Sequence, residues 1–513
     1  MRIFIFLLAT IVCGFAAEKP NIVFILADDL GIGDVRAFNK DSKIPTPNYD
    51  RLAAGGMKFT DAHTPSSVCT PTRYGLLTGR YNWRSKLQSG VLGGLSPRLI
   101  EPGRTTVAAM LKEQGYTTAA IGKWHLGLDW VKHEGKSVNE LGIENDAQNS
   151  SIDFSKPFAN GPITLGFDTF FGIAASLDMA PYTFLENDHC AVLPTETSHF
   201  PMMADRPDGP KTRKGPAAPG FDAKNVLPTC TAKAVEWIGA QAKTGKPFFL
   251  YMPLNAPHTP SVPTAEFDGK SNLNSYADFV MQTDASIGAI LDALDKAGVA
   301  DNTLVIATSD NGCSPQARIE ELRQKGHDPC LGLRGTKADI WEGGHRVPFI
   351  VRWPGKVKAA SESAQLLCLI DFYATCAELT GAKIVATAAE DSVSFLPALL
   401  GKSGGRETLV SHSISGHFAI RKNALKLCLT PGSGGWSDPR PGNPAAAKLP
   451  PTQLYDLATD RAETTNLSPQ READVKDLTA LLEKTIADGR STPGAPQKNT
   501  VEVVILKGAK RKQ

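Results

Sequence analysis

A chain of 513 residues with 42% hydrophobic side chains can bury a large core, and its length calls for two or more core units. A net charge of +2 gives no electrostatic case for a nucleic-acid partner. Nine cysteines permit disulfides if the chain is exported, but spacing alone does not give their pairing, and it does not suggest a zinc site.

Residues 1–17 read as an export signal. Arg2 supplies the positive end, 3–12 is a short apolar run, and Gly14 and Ala16 are small residues spaced for cleavage. Cys13 invites a lipoprotein reading, but Val12 is a poor residue before a lipidated cysteine. The run is too short to span a bilayer, so the expectation is a periplasmic or extracellular protein without stable membrane insertion. The basic tail Lys507, Lys510, Arg511 and Lys512 reads as a solvated terminus. Asn149 and Asn466 sit in glycosylation acceptor sequences, which matter only in a host that glycosylates.

Residues 21–27, NIVFILA, form an apolar run without alternation, which predicts a strand buried on both faces. It ends in Asp28-Asp29. Two adjacent carboxylates there serve either as a helix cap or turn, or as ligands at the carboxyl end of a parallel sheet. A helix follows over 47–56 and a short strand over 57–62. The stretch 66–80, SSVCTPTRYGLLTGR, places Cys69, Pro71 and Arg73 in a C-x-P-x-R core. With Pro71 ending any strand, a helix is expected to start near Tyr74, with Cys69 close to its N-terminus and Arg73 one turn on. Both the helix end and the guanidinium favour negative charge. A helix over 104–114 and a strand over 116–121 lead to Gly122-Lys123-Trp124-His125, where Lys123 and His125 can converge on one ligand.

Residues 131–225 read as long loops around a site, with 205–220 exposed and mobile. Asp178, Tyr182 and His189 are candidate substrate contacts in this insertion. The αβ rhythm resumes with a helix over 231–242 and a strand over 247–254. His258 follows, between prolines expected to hold the backbone extended. A long helix over 276–297 and a buried strand over 303–308 lead to Asp310-Asn311, repeating the pattern of a carboxylate at a strand end. Lys337 follows, then Glu342-Gly-Gly-His-Arg-Val-Pro and a strand over 349–352. Helices are expected over 369–380 and 396–400, and a boundary near 401–405. Beyond it, strands over 417–421 and 424–429 and a segment at 453–457 precede a helix over 471–487.

C-x-P-x-R followed by x-x-L-L-T-G-R resembles the signature of the type I sulfatases, with Thr72 where that family more often has Ser or Ala. Gly115-Tyr116…Gly122-Lys123-Trp124-His125 resembles its second signature, His258 its strand-end histidine, and Glu342–Pro348 its E-G-G-x-R-V-P turn. The resemblance covers about residues 20–470. It implies an α/β fold: a large mixed, mostly parallel sheet sandwiched by helices over 18–400, and a smaller C-terminal antiparallel sheet plus helix over 401–513. It implies conversion of Cys69 to formylglycine by a formylglycine-generating or anaerobic sulfatase-maturating enzyme, and a sulfate-monoester hydrolase. Asp28, Asp29, position 69, Asp310 and Asn311 would hold a cation. These side-chain donors are all oxygens, which suits Ca²⁺, as the family usually carries, or Mg²⁺. Arg73, Lys123 and Lys337 would surround the sulfate, His258 or Lys337 would protonate the leaving oxygen, and His125 would help expel sulfate. With Cys13 and Cys69 set aside, seven cysteines remain, an odd number that cannot all pair within one chain.

The stretch 176–182, SLDMAPY, resembles bacterial carbohydrate sulfatases acting on 6-sulfated galactose or N-acetylgalactosamine, with Asp178, His417 and Arg421 as expected sugar contacts. Two alternatives stand beside this. A phosphatase or phosphodiesterase of the same superfamily would place Ser or Thr at position 69 and add His ligands for zinc. A sulfated-glycan binding protein would need no modified Cys69.

Overall fold

A computed structural model describes residues 19–505; the expected signal segment 1–17 and the basic tail residues lie outside the described residues. The apolar run Asn21–Asp28 (β1) is buried at every position. It lies inside a ten-stranded sheet, parallel to Phe248–Pro257 on one side and to Thr303–Ser309 on the other. Thr117–Lys123 and Thr169–Ile173 extend the parallel part, while Phe349–Arg352 and Met57–Phe59 continue the opposite side antiparallel. Burial on both faces explains the missing alternation in β1.

Five helices matter most: Pro47–Ala54 (α1), Cys69–Thr78 (α2), Val107–Glu113 (α3), Val226–Ala242 (α4) and Ser275–Lys296 (α5). Ile22, Phe24 and Leu26 of β1 point into a core shared with Leu77 of α2, Leu111 of α3 and Phe372. Val23, Ile25 and Ala27 point the other way, onto Leu52 of α1, Ile238 of α4 and Ile287 of α5. Helices therefore cover both faces, and the carboxyl ends of five parallel strands share one edge.

Two helices begin earlier than expected, for one reason. α2 starts at Cys69 and runs through Pro71; α4 starts at Val226 and runs through Pro228. Proline in a first turn lacks only an N–H that has no acceptor inside the helix, so it does not delay the start. The segment expected to be exposed at 205–220 is exposed at most positions, but it also contributes Gly215–Ala217, which pairs with Glu196–Ser198, and Ala217 is buried. The peptide bonds Ala256–Pro257 and Thr259–Pro260, on either side of His258, are cis. The eight described cysteines are all unpaired and buried.

Strands Thr408–His412, Phe418–Lys422, Leu425–Cys428 and Gln453–Asp456 form a separate antiparallel sheet. Helix Glu472–Ala487 packs Leu478 and Leu482 against its Ile420 and Leu427. A buried polar joint ties this sheet to the large one. Lys426 Nζ lies 3.0 Å from Glu342, 2.8 Å from Glu463 and 3.0 Å from His345 Nε2. Lysine can only donate, so His345 carries its hydrogen on Nδ1 and gives it to His63 Nδ1 at 3.0 Å. His63 in turn donates from Nε2 to Asp61 at 2.9 Å. Burial pushes both imidazoles down, so they stay neutral.

Removing one partner of such a joint leaves a charge buried and unpaired. Lys426→Ala strips Glu342 and Glu463 of their shared cation and is expected to destabilise the fold by ~3–5 kcal/mol. Thermal unfolding of the variant against wild type checks this.

Candidate functional site

The edge formed by the parallel strands gathers chemistry from six places in the chain. Asp28 closes β1. Asp29 follows it with φ of 66°, a left-handed conformation that Asp tolerates and that folds its side chain back toward the strand ends. Tyr276 of α5 holds that turn: its hydroxyl donates to the Asp29 carbonyl at 3.1 Å and lies 2.5 Å from Asp34, which His327 contacts from the other side at 2.8 Å. Asp310 and Asn311 follow strand Thr303–Ser309. Asn311 donates to Asp29 at 2.7 Å, and the Asp29 N–H lies 3.3 Å from Asp310 Oδ1.

Cys69 is the first residue of α2, fully buried, with Arg73 one turn along. Arg73 grips Asp310 through Nε at 3.1 Å and Nη2 at 2.7 Å, and donates Nη1 to the Lys123 carbonyl at 2.9 Å. Lys123 leaves its strand after Gly122, whose φ is 136°; a Cβ at Gly122 would meet the Pro253 carbonyl at 1.9 Å. Lys123 Nζ contacts Asp28 and Lys337 Nζ lies 2.7 Å from Asp29. Three carboxylates thus face three cationic side chains in a water-excluded space.

The charges distort one another. Burial alone would raise the Asp28 carboxyl, but Lys123, His258, Arg73 and Lys337 together hold it well below the usual range. Burial and the neighbouring Asp28 charge push Asp310 up to about 7, against Arg73 and Lys123. Burial pushes the Cys69 thiol up despite Lys123 and Lys337, so an unmodified cysteine stays protonated. Burial pushes His125 far down, with Lys123 and Arg73 adding to it.

His125 is therefore neutral, and its tautomer is determined. Nε2 lies 2.8 Å from the Leu92 carbonyl, which can only accept, so Nε2 carries the hydrogen. Nδ1 is left as a buried lone pair without a partner, the arrangement of a base waiting for a proton. His258 is held by the same logic: Nδ1 donates to the Thr259 carbonyl at 2.5 Å, which turns Nε2 toward Asp29 at 3.7 Å.

The carboxylate end fits a divalent cation. Asp28 Oδ1 and Asn311 Oδ1 are both buried without a hydrogen-bond partner, a costly state unless something cationic takes them. Asp28 and Asp29 bring ligand atoms within 4.8 Å of one another and of His258. One imidazole beside four oxygen-bearing residues still makes a hard-cation donor set.

Cys69, Arg73, Lys123, His125, His258, Lys337, Asp28, Asp29, Asp310 and Asn311 thus come together, whereas the expected sugar contacts divide. Asp178 lies on the segment leaving strand Thr169–Ile173, which runs beside His125 through the bond from His125 N–H to the Ala174 carbonyl. It forms an ion pair with Arg213 at 2.8 Å. His417 lies on the turn whose Ile414 N–H bonds Ala338, next to Lys337. Arg421 does not belong to the site: its guanidinium is committed to Asp61 at 2.7 and 2.9 Å in the joint between the sheets. Tyr182 uses its hydroxyl on Thr212 at 3.0 Å to pin the insertion, and His189 is exposed on the outermost strand of the large sheet. Sequence reasoning missed Tyr276, Asp34 and His327, which orient the Asp29 turn. Nothing in their local sequence marks them.

A family model described as Sulfatase matches residues 20–382. An N-acetylgalactosamine-6-O-sulfatase of Bacteroides thetaiotaomicron is 35% identical over 506 residues, covering 92% of this chain and 94% of its own. Arylsulfatase A of Bos taurus is 34% identical over 510 residues, covering 94% and 91%. A solved structure from work on the metabolism of glycosaminoglycans by Bacteroides thetaiotaomicron matches with a TM-score of 0.78 at 34% identity, covering 91% of this chain and 99% of that one.

The raised Asp310 carboxyl links cation binding to pH. Without a cation the folded chain keeps a proton there up to about pH 7, whereas an unfolded aspartate loses it near 3.8. That contribution to stability is present below 3.8 and is lost as pH rises through 7. A cation must displace the same proton, so its stabilisation grows over this window. Millimolar Ca²⁺ is expected to raise the unfolding temperature of chelator-treated protein more at about pH 8 than at about pH 5.5. Equal shifts would remove Asp310 from the cation site.

Proposed function

Since this chain belongs to the sulfatase family and is a sulfuric ester hydrolase, we propose that it removes 6-O-sulfate from a galactose-type sugar, N-acetylgalactosamine foremost, in a sulfated glycan. The observation that carries the chemistry is Cys69 at the head of a buried helix, facing Lys123, Lys337 and the carboxylates. The relative that acts on N-acetylgalactosamine-6-sulfate, similar over nearly the whole chain, supports the sugar. Among the described residues no helix is long and apolar enough to cross a membrane. The export signal read at 1–17 supports action on polysaccharide outside the cytoplasm.

Position 69, once converted to formylglycine by a maturating enzyme, would supply a hydrated aldehyde as nucleophile toward sulfur, with a second hydroxyl that would let sulfate leave as the carbonyl returns. A divalent cation, Ca²⁺ in our reading, held by Asp28, Asp29, Asp310 and Asn311, supplies Lewis acidity toward a sulfate oxygen. The chain's own groups do the rest. Lys123 and Lys337 stabilise the negative charge on the sulfate, and Arg73 fixes Asp310 beside it. As the sulfur–oxygen bond to the sugar breaks, the leaving oxygen needs a proton, which His258 Nε2 or Lys337 Nζ can give. His125 Nδ1, the unpartnered lone pair, takes the proton from the second hydroxyl.

Two experiments test this. The mass of tryptic peptide 59–73 from protein made in a host with the maturating enzyme is expected to match the aldehyde or its hydrate. Such protein should release sulfate from 6-sulfated N-acetylgalactosamine or galactose in preference to 4-sulfated sugars and aryl phosphate. Protein retaining cysteine should fold and show no turnover; turnover by that form would sink the mechanism. His125→Ala is expected to lower kcat by roughly 10²–10⁴ with KM little changed. An unchanged kcat would strip His125 of its role as base.

A further inference from the structure

The site has one open side. Cys69, Asp28, Asp29, Arg73, Lys123, His125, Asp310 and Asn311 are each 2% exposed or less, whereas Lys337 is 4% and His258 7% exposed. These two are the groups able to protonate the departing sugar oxygen, so the sugar leaves, and the rest of a glycan extends, past them. A groove of about 680 Å³ borders that mouth. Thr336, next to Lys337, lines it. So does Pro315, next to Gln316, whose side chain accepts from Thr259 beside His258 at 2.9 Å. Trp436 lines it too.

Trp436 is the one aromatic among the exposed large hydrophobic side chains of the described residues. It is presented rigidly. Asp339, two residues from Lys337, accepts the N–H groups of Trp436 at 2.9 Å and Ser437 at 3.0 Å with one oxygen. With the other it accepts Thr336 N–H at 2.9 Å. Ile340 N–H bonds the Ser433 carbonyl at 2.8 Å, and Gly435 approaches Ala338 so closely that a Cβ would meet its carbonyl at 2.2 Å. The loop bearing the indole is thus clamped to the segment bearing the acid.

Each of the groove's three lining arginines has a carboxylate partner, Arg323 with Asp328 at 3.1 Å. Arg318 is paired with Asp205 at 3.1 Å and with Glu321, and Arg206 with Glu321 at 3.4 Å. No uncompensated cation is left for a second sulfate, while polar side chains remain for hydroxyls. A flat apolar face with a satisfied polar rim matches a pyranose, whose C–H face is apolar and whose edge carries hydroxyls. We propose that this groove is a second sugar-binding subsite, in which Trp436 stacks on an uncharged pyranose adjoining the sulfated unit. The proposal rests on the sulfated-glycan reading above. It makes the substrate an oligosaccharide or polysaccharide rather than a free sulfated monosaccharide.

The test compares matured wild type, Trp436→Ala and Trp436→Phe on an aryl sulfate, a sulfated monosaccharide, and a trisaccharide carrying the same sulfated unit. Trp436→Ala is expected to raise KM for the trisaccharide about tenfold with kcat nearly unchanged, to leave the two small substrates unaffected, and Trp436→Phe to restore most of the loss. If Trp436→Ala matches wild type on a trisaccharide that wild type hydrolyses, or if it weakens all three substrates equally, the subsite is wrong and the glycan reading stands. If wild type hydrolyses the aryl sulfate and neither sugar, the glycan reading itself falls and takes the subsite with it.

Discussion

The double hydrogen bond between Arg73 and Asp310 joins the two halves of the site. It ties the helix that starts with Cys69 to the strand ends that carry the carboxylates. Arg73 also holds the Lys123 carbonyl, so one guanidinium positions α2, strand Thr117–Lys123 and the carboxylate cluster at once. Around it three acids and three cationic side chains are close to balance. A divalent cation added to that balance leaves net positive charge for an anionic sulfate. Asp28 Oδ1 and Asn311 Oδ1 are buried without hydrogen-bond partners, and the Asp28 charge helps to raise the Asp310 carboxyl. Buried oxygens so placed fit a divalent cation.

The same burial that makes the carboxylates costly makes His125 useful. In water an imidazole beside two cations would still be partly hydrated. Here it is fully buried, held neutral, and turned by the Leu92 carbonyl so that its free lone pair is Nδ1. His258 is turned in the opposite sense by its own neighbour's carbonyl, which leaves Nε2 toward Asp29. Two histidines in one site thus present different nitrogens, and backbone carbonyls rather than side chains make the choice.

Division of labour follows the architecture. The parallel sheet supplies the reacting groups because its strand ends converge at one edge. The C-terminal segment supplies walls: the Trp436 loop and the His417 turn both rest on backbone flanking Lys337. The buried Lys426–Glu342–His345–His63–Asp61 joint keeps the small sheet in register with the large one. A buried charge network resists sliding in a way that apolar packing alone does not.

The local sequence was enough for the parts whose physics is local. The unbroken apolar runs of β1 and Thr303–Ser309 announced strands buried on both faces. The acids after them stood where ligands gather, and C-x-P-x-R with G-K-W-H carried the family resemblance. Helix starts at Cys69 and Val226 were misplaced because a proline in the sequence looks the same whether it ends an element or sits harmlessly in a first turn. Tertiary structure alone decided the rest. Arg421 looked available on its strand, but Asp61, 360 positions away in the chain, claims it. The Leu92 carbonyl that sets the His125 tautomer, the Tyr276 hydroxyl that props the Asp29 turn and the Asp339 clamp that presents Trp436 are all contacts between segments distant in sequence. Periodicity and motif report what a residue does to its own stretch of backbone. Which partner a polar side chain meets depends on where other stretches pass, and only the folded chain determines that.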